Sequence, residues 1–466
     1  MPMDHSVDRV RLIVICLALS FCVNYQYAFS STYTNSAVHS LQRFVEGSNT
    51  TESSDSTGHK FSWLWSILVS IWFVGFLPGI WASNWLIERF GRRAAFLIGN
   101  ILNVVGSVLR CLAILIDEVY ILVGARVLCG FGTAMSYCAL VLYLQEVAPS
   151  SLRGMTSCLN GVVYALVALF GITLGNDVFL GKHLLLYLLS AVPPCAIGVI
   201  LLAILPETPK YLVLQGEYQK AQLSLRFYHG GSSPISDSIK SIERDIGRAS
   251  EDNGKLSEIF AVPQLRASLK LFLAALQNTA ALWTILFSST FYLERADVEH
   301  RVAQWSSAIM AGSYVLGTIT GAVLIERSGR RRLLVVSNIV NISSLVAYVI
   351  CAEMRALVSY INNGCLAALA VFGFSFGAGV GPVARFIGAE LVPIRYRSTV
   401  TAVGFTYDTI VSCATSFICA PLFHHIGAYA FLVLFVFPST LCTLYLYLYL
   451  PETRGKEIEE ITRELE

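Results

Sequence analysis

Charge is scarce in this 466-residue chain: Asp, Glu, Lys and Arg make up 14% of it, against 55% hydrophobic residues. A soluble domain carries about 25% charged residues, so the composition argues for a membrane protein. A surplus of one sign is missing too. Lys+Arg 33 against Asp+Glu 31 leaves a formal charge of +2, which argues against the broad basic field that a nucleic-acid partner requires. The 12 cysteines form no CxxC and no Cys/His ligand spacing. They fall in apolar runs and read as small buried hydrophobes, so no metal site, cofactor or disulfide framework is expected. Phosphate loop, nucleophile elbow and nucleophile–base pair are all missing, so an enzyme is not expected.

What is present is a series of apolar runs. A helix needs roughly 20 such residues to cross a hydrocarbon core of about 30 Å. Runs of that kind lie near 11–32, 63–87, 94–116, 119–144, 155–176 and 183–205. They resume near 269–293, 303–325, 333–353, 364–388, 399–420 and 426–449. They are too long for barrel strands and do not alternate. The first run has no small-residue cleavage pattern after it and reads as a membrane helix rather than a signal peptide. The predicted class is therefore an all-α membrane protein of about twelve helices. It divides into a six-helix bundle over 1–205, a helical linker over 206–268, a second bundle over 269–450 and a tail over 451–466. Short helices are expected near 216–228 and 236–249, on either side of the breaker Gly230-Gly231-Ser232-Ser233-Pro234.

Orientation follows the basic residues. With the N-terminus inside, inner segments hold 23 Lys and Arg and outer ones 6; leaving out the long central segment, the balance is 15 against 6. Both termini are predicted to be cytoplasmic. The stretch 33–62 then lies outside and carries the sequon Asn49-Thr50-Thr51, a candidate glycosylation site. Asn341-Ile342-Ser343 lies within a span and is expected to be inert.

The sequence repeats itself. ERFGRRAAFLIGN at 88–100 returns as ERSGRRRLLVVSN at 326–338, an offset of 238. QEVAPSSLRG at 145–154 is echoed by AELVPIRYRS at 389–398, offset 244, and PETPK at 206–210 by PETRG at 451–455, offset 245. Three charged signatures in one order at a near-constant offset indicate a duplicated six-helix unit. Gly91 and Gly329 fit tight turns with positive φ.

In these motifs the chain resembles the sugar-porter branch of the major facilitator superfamily, and within it the facilitative glucose-transporter-like proteins. The likeness covers nearly the whole chain. It implies two bundles moving against each other around a central solute pocket in the bilayer. It also implies a cytoplasmic gate of Glu88, Arg89, Arg92, Arg93, Glu146 and Arg153, repeated in Glu326, Arg327, Arg330, Arg331, Glu390 and Arg397. Arg126, in the fourth span, joins that set by resemblance and should find a partner on another helix, whereas Arg110 is expected to snorkel outward. Asn84 stands where relatives have glycine.

The solute pocket departs from the family. Gln277 keeps a family position, Asn278 is a close substitute, and Trp283 replaces an asparagine. Tyr314 stands for an asparagine, Asn160 for a glutamine, Arg385 for a tryptophan and Gly377 for an acidic residue. Tyr407-Asp408 replaces an Asn-Trp pair. Gln277, Asn278, Trp283, Tyr314, Asn160, Arg385, Tyr407 and Asp408 are the candidate solute-binding residues. Arg385 and Asp408 either neutralise each other as a buried pair or serve an anionic solute. Residues 11–32 contain no Asp or Glu, so facilitated diffusion is expected over proton symport. The leading expectation is a facilitative uniporter for a hexose or sugar-like solute in the plasma membrane. The alternatives are a carrier of a non-sugar organic solute or anion, and a transport-dead sensor of the same fold.

Overall fold

A computed structural model describes residues 4–47, 54–149, 153–230, 236, 238–240, 242–244, 256–354, 362–454 and 464. Among them no strand occurs, and eleven helices are long and apolar enough to cross a membrane. These are Val10–Ser36, Trp63–Phe90, Arg92–Leu115, Val119–Val147, Leu184–Ile204, Pro263–Arg295, His300–Ile325, Arg330–Glu353, Asn363–Glu390, Arg395–Ile426 and Tyr429–Tyr449. A shorter apolar helix, Leu159–Leu174, holds the fifth place. With each helix bonding its own backbone, no peptide group need face lipid unsatisfied.

The seventh span starts at Pro263, earlier than the apolar run suggested, because the polar residues before Leu269 already continue the helix from a proline in its first turn. Between the sixth and seventh spans lie Pro209–Leu214, Tyr218–His229 and Leu256–Ala261. The Tyr218–His229 helix answers the expected 216–228; most of the expected 236–249 helix and the 49–51 sequon lie outside the described residues.

Packing divides the chain into two compact units whose borders cut across the sequence halves. The first holds Met1–Ser30, Val74–Val167 and Leu185–Asp252; the second holds Ser31–Phe73, Ala168–Leu184 and Asn253–Glu466. In the first unit, small residues bring the third and fourth spans together. A Cβ on Gly99 would lie 2.7 Å from the Ser136 backbone nitrogen, and one on Gly132 2.9 Å from the Gly99 carbonyl. Without a hydrophobic drive between helices in lipid, such close backbone approach is what holds them. The second unit uses the same device: a Cβ on Gly377 would meet the Tyr314 carbonyl at 2.5 Å. An acidic side chain in place of Gly377 would therefore have no room here. The eleven described cysteines form no disulfide among themselves, and none is exposed.

Among the described residues four spans are interrupted, the sixth by a turn at Ser190-Ala191. The seventh loses its helix at Asn278-Thr279, resumes at Ala280 and kinks again at Ser288 (φ −151°, ψ 20°). The tenth and twelfth carry π-turns at Phe376–Val380 and Leu432–Val436. Interruptions of this kind free backbone groups and side chains at mid-span, where transporter solutes bind.

Candidate functional site

The two copies of the charged signature fold into two copies of one network. In the first unit, Gly91 (φ 96°) turns the chain into the third span. The Arg93 backbone N–H at that helix start donates to both Glu207 oxygens, each at 3.1 Å, and the Thr208 N–H adds a bond of 2.8 Å. A carboxylate there answers the positive end of the helix dipole. Burial raises the Glu207 proton affinity above its ordinary value, an effect opposed by the Thr208 and Arg93 backbone donors. Arg92 donates to Glu146 Oε1 through Nε (3.1 Å) and Nη2 (2.8 Å), while the Thr208 hydroxyl donates to Glu146 Oε2 at 2.6 Å. The Arg93 guanidinium closes on the Leu202 and Ala203 carbonyls at 2.8 and 2.7 Å.

The linker helix Tyr218–His229 bonds to the segment that carries Glu207. Tyr143 and Tyr228 hydroxyls both donate to the Pro206 carbonyl, at 2.8 and 3.0 Å, and the Ser224 hydroxyl donates to the Glu207 carbonyl at 2.6 Å.

In the second unit Gly329 (φ 83°) makes the corresponding turn. Glu452 accepts from the backbone N–H groups of Arg330 (2.7 Å) and Arg331 (3.2 Å), and the Arg331 guanidinium donates to the Tyr447 carbonyl at 2.7 Å. The Thr453 hydroxyl donates to Glu390, whose Oε1 lies 3.6 Å from Arg330 Nε. Arg395 pairs with Glu258 at 3.3 Å. Glu207, Thr208, Glu452 and Thr453 were not among the residues assigned to the gate. Their signal was in the sequence: the PET repeat stands at the same offset as the other motifs.

The remaining gate candidates are not drawn into these bonds. Glu88 is exposed, and Arg89 lies 5.5 Å from the Trp85 and Phe90 rings. Arg327 is exposed and offers its carbonyl to Arg454 at 2.6 Å; Arg397 is half-buried. The side chains of Arg153 and Glu326 lie outside the described residues. Arg126 is buried on the fourth span, 1% exposed, twenty residues before Glu146. At 1.5 Å per residue the helix holds it about 30 Å from that carboxylate, so Arg126 does not join the loop network. Arg110 does not snorkel either. It is fully buried, donates to Gln26 (3.1 Å) and Ser107 (2.8 Å), and stands 5.5 Å from the Phe29 ring centre. Inward polar partners replace the water that snorkelling would have reached.

Among the solute candidates, the second unit gathers six at the seventh-span break. Tyr407 donates to Gln277 at 2.8 Å, and the Thr279 hydroxyl donates to Asp408 at 2.7 Å. Asn278 turns its amide back to the Ala274 carbonyl at 3.1 Å. Arg385 stands 5.9 Å from the ring centre of Trp283 and close enough to act electrostatically on Asp408. Tyr314 lies edge-on to Phe376, 6.0 Å between centroids. In the first unit Asn160 accepts from Asn24 at 2.7 Å. One turn further on, Tyr164 joins Tyr27, Tyr137 and Phe76 in an aromatic group with centroid spacings of 5.0, 5.0 and 5.8 Å from Tyr27. Sequence reading missed this group, because aromatic residues in apolar spans carry no signal of their own.

The far ends of several spans are sealed within the second unit. Asn35 donates to Ser289 and accepts from the Thr290 N–H, both at 2.7 Å; Thr34 donates to the Phe287 carbonyl at 3.1 Å. Trp65 donates to Ser288 at 3.2 Å, at the kink itself. Gln304 donates to the Ser36 carbonyl at 3.1 Å.

This duplicated layout has relatives. The family model described as sugar (and other) transporter matches residues 12–465. The chain belongs to the sugar (and other) transporter family. It is a multi-pass membrane protein of a family of transporters. Facilitated glucose transporter member 2 of solute carrier family 2 from Gallus gallus is 28% identical over 413 residues, 86% of this chain and 76% of that one. Member 7 of the same family from Mus musculus is 28% identical over 490 residues, covering 99% and 91%. The inward-open structure of the xylose transporter XylE from E. coli superposes with a TM-score of 0.78 at 17% identity, covering 97% of this chain and 99% of that one. At that identity the likeness speaks for the fold, which is that of a major facilitator transporter.

Proposed function

We propose that this family member is a facilitative uniporter of a hexose or sugar-like solute, working by alternating access. The observation that carries the reading is the twice-broken seventh span. Its first break presents Gln277, Thr279 and the neighbouring Tyr407 and Asp408; its second, at Ser288, is where the far end is sealed. A single discontinuous helix thus links solute-type polar groups to a seal that must part for solute to enter. The facilitated glucose transporters among its relatives support the sugar class. The lack of Asp or Glu in 11–32 supports diffusion without proton coupling.

Both termini are read as cytoplasmic and the sealed end as external, from the distribution of basic residues. The membrane proposed is the plasma membrane, with Asn49 glycosylated outside. The loop networks are read as the cytoplasmic gate, and Gln277, Asn278, Trp283, Tyr314, Asn160, Arg385, Tyr407 and Asp408 as the solute lining. A second reading, carriage of an organic anion, is favoured by Arg385 beside Trp283. Uptake into liposomes decides between them. Saturable labelled-hexose uptake, indifferent to a pH gradient, supports the uniporter. Uptake confined to organic anions and abolished by Arg385→Gln supports the second reading. Hexose uptake driven by an inward proton gradient, or solute binding without flux, overturns both.

A further inference from the structure

At the sealed end, four side chains from widely separated parts of the sequence meet. His39 Nε2 lies 3.2 Å from Glu294 Oε1, and the same oxygen contacts His300 Nδ1. On the far side of its ring, His300 Nε2 faces Asp177 Oδ2 at 3.3 Å. The two imidazoles meet edge-on, 4.0 Å between centroids. The ligating atoms of His39, Glu294 and His300 all lie within 4.8 Å of one another. Asp177 is itself held, since Gln304 donates to its Oδ1 at 3.4 Å and accepts from its backbone N–H at 3.3 Å.

Hydrogen-bond geometry limits what this cluster can hold. A neutral imidazole has one N–H, yet both nitrogens of His300 face carboxylate oxygens. The arrangement is satisfied in two ways. His300 can be an imidazolium, donating on both sides. Alternatively, Nε2–H donates to Asp177 and the Nδ1 lone pair, the Glu294 oxygen and His39 Nε2 take a divalent cation between them.

We propose that His39, Glu294 and His300 form a zinc-class transition-metal site, with Asp177 orienting His300. Two imidazoles and one carboxylate are a borderline-soft donor set that zinc accepts, leaving a fourth position for water. A carboxylate on the far nitrogen of a ligating histidine fixes its tautomer and raises its basicity. His39 is 46% exposed in its side chain, which gives an ion a way in from the aqueous side. Arg43, which donates to the His39 carbonyl at 3.4 Å, Arg295, which meets His424, and Arg301, next to His300 in sequence, are among the nearby cations. Protons compete for the same two imidazoles, so acid weakens the site.

The consequence is mechanical. His39 follows the first span and Asp177 the fifth, whereas Glu294 and His300 flank the turn between the seventh and eighth. A metal bound here fastens the far ends of first-half spans to second-half ones and holds the seal shut.

The test is calorimetric titration of ZnCl2 into the purified full chain in detergent at pH 7.5, with monodispersity checked for each variant. One bound ion per chain is expected, with affinity lowered at least tenfold by His39→Ala and by His300→Gln, unchanged by His424→Ala, and weaker at pH 5.5. His39→Ala alters a half-exposed side chain and keeps the test sharp if His300→Gln fails to fold. Wild-type affinity in His39→Ala, or loss of binding through His424→Ala alone, overturns the proposal. A second arm rests on the transport reading above: external ZnCl2 should slow liposome uptake of hexose, reversibly with EDTA, in the wild type and not in His39→Ala. Absence of any flux would count against that reading and leave the calorimetry to decide this one.

Discussion

The two loop networks are built from matching residues, yet they are not equally firm. Arg92 and Glu146 meet at 2.8 Å with side chains 11% and 7% exposed; Arg330 and Glu390 meet at 3.6 Å with 23% and 31% exposed. The first pair is tied through Thr208 to the Pro206-Glu207 segment, to which the Tyr218–His229 helix of the linker bonds through Tyr228 and Ser224. Repeated motifs therefore place the same groups twice, while what covers them sets their strength. A drier environment strengthens each bond and raises the penalty for losing one partner.

That contrast can be broken most forcefully at its turns. At Gly91 an added Cβ would lie 2.3 Å from Glu207 Oε2, at a φ of 96° that side chains avoid. Gly91→Ala should cost about 3 kcal/mol or more, combining backbone strain with displacement of a charged hydrogen bond. Gly329→Ala meets Glu452 Oε2 at 2.6 Å and should cost somewhat less. Thermal unfolding in detergent measures both, and equal or reversed shifts would contradict the account.

Removing one charge from each copy is the next largest effect. Glu146→Gln strips the acceptor of Arg92 and weakens that of Thr208, and should destabilise by about 2–3 kcal/mol. Glu390→Gln, at the longer and wetter pair, should cost about 0–1 kcal/mol. The same unfolding assay, with transport rates beside it, reads the difference.

The linker's share is smaller. Tyr228→Phe removes one donor to the Pro206 carbonyl, which keeps the Tyr143 hydroxyl. It should cost about 0.5–1.5 kcal/mol and narrow the gap between Glu146→Gln and Glu390→Gln. An unchanged gap would mean that the linker does not set it.

The smallest effect is on pH. Burial raises Glu207 above its ordinary 4.5, so on acidification the folded chain takes up this proton before the unfolded chain does. The group's contribution to stability is full below 4.5 and is lost as pH rises through the raised folded value. Glu207→Gln should flatten that part of the stability–pH curve. Unfolding midpoints collected from pH 7 down to 4.5 test the sign.

Much of the site was legible, and the failures are specific. Gly91, Gly329, Arg92, Glu146, Arg330 and Glu390 were readable because charged motifs at membrane borders repeat at a fixed offset. Glu207 and Glu452 were equally visible in the PET repeats, but only the helix N-termini they meet give them a task. Arg126 carried a family position but lies on the fourth span too far from Glu146 to join the loop network, and Arg110 found Gln26 and Ser107 where water had been expected. Gln277, Tyr407 and Asp408 were singled out in the sequence; that they converge on one helix break required the fold.

The sequence by itself determined a membrane-spanning, duplicated helical chain, because apolar length and motif spacing are one-dimensional properties that lipid reads directly. Tertiary structure alone decided which copy of the network is dry, which hydroxyls and amides seal the far end, and that His39, Asp177, Glu294 and His300 share one cluster. The seal and the cluster join residues more than 100 positions apart, and even the drier network joins Arg92 to Glu146, 54 positions away. No local pattern encodes such contacts; packing creates them.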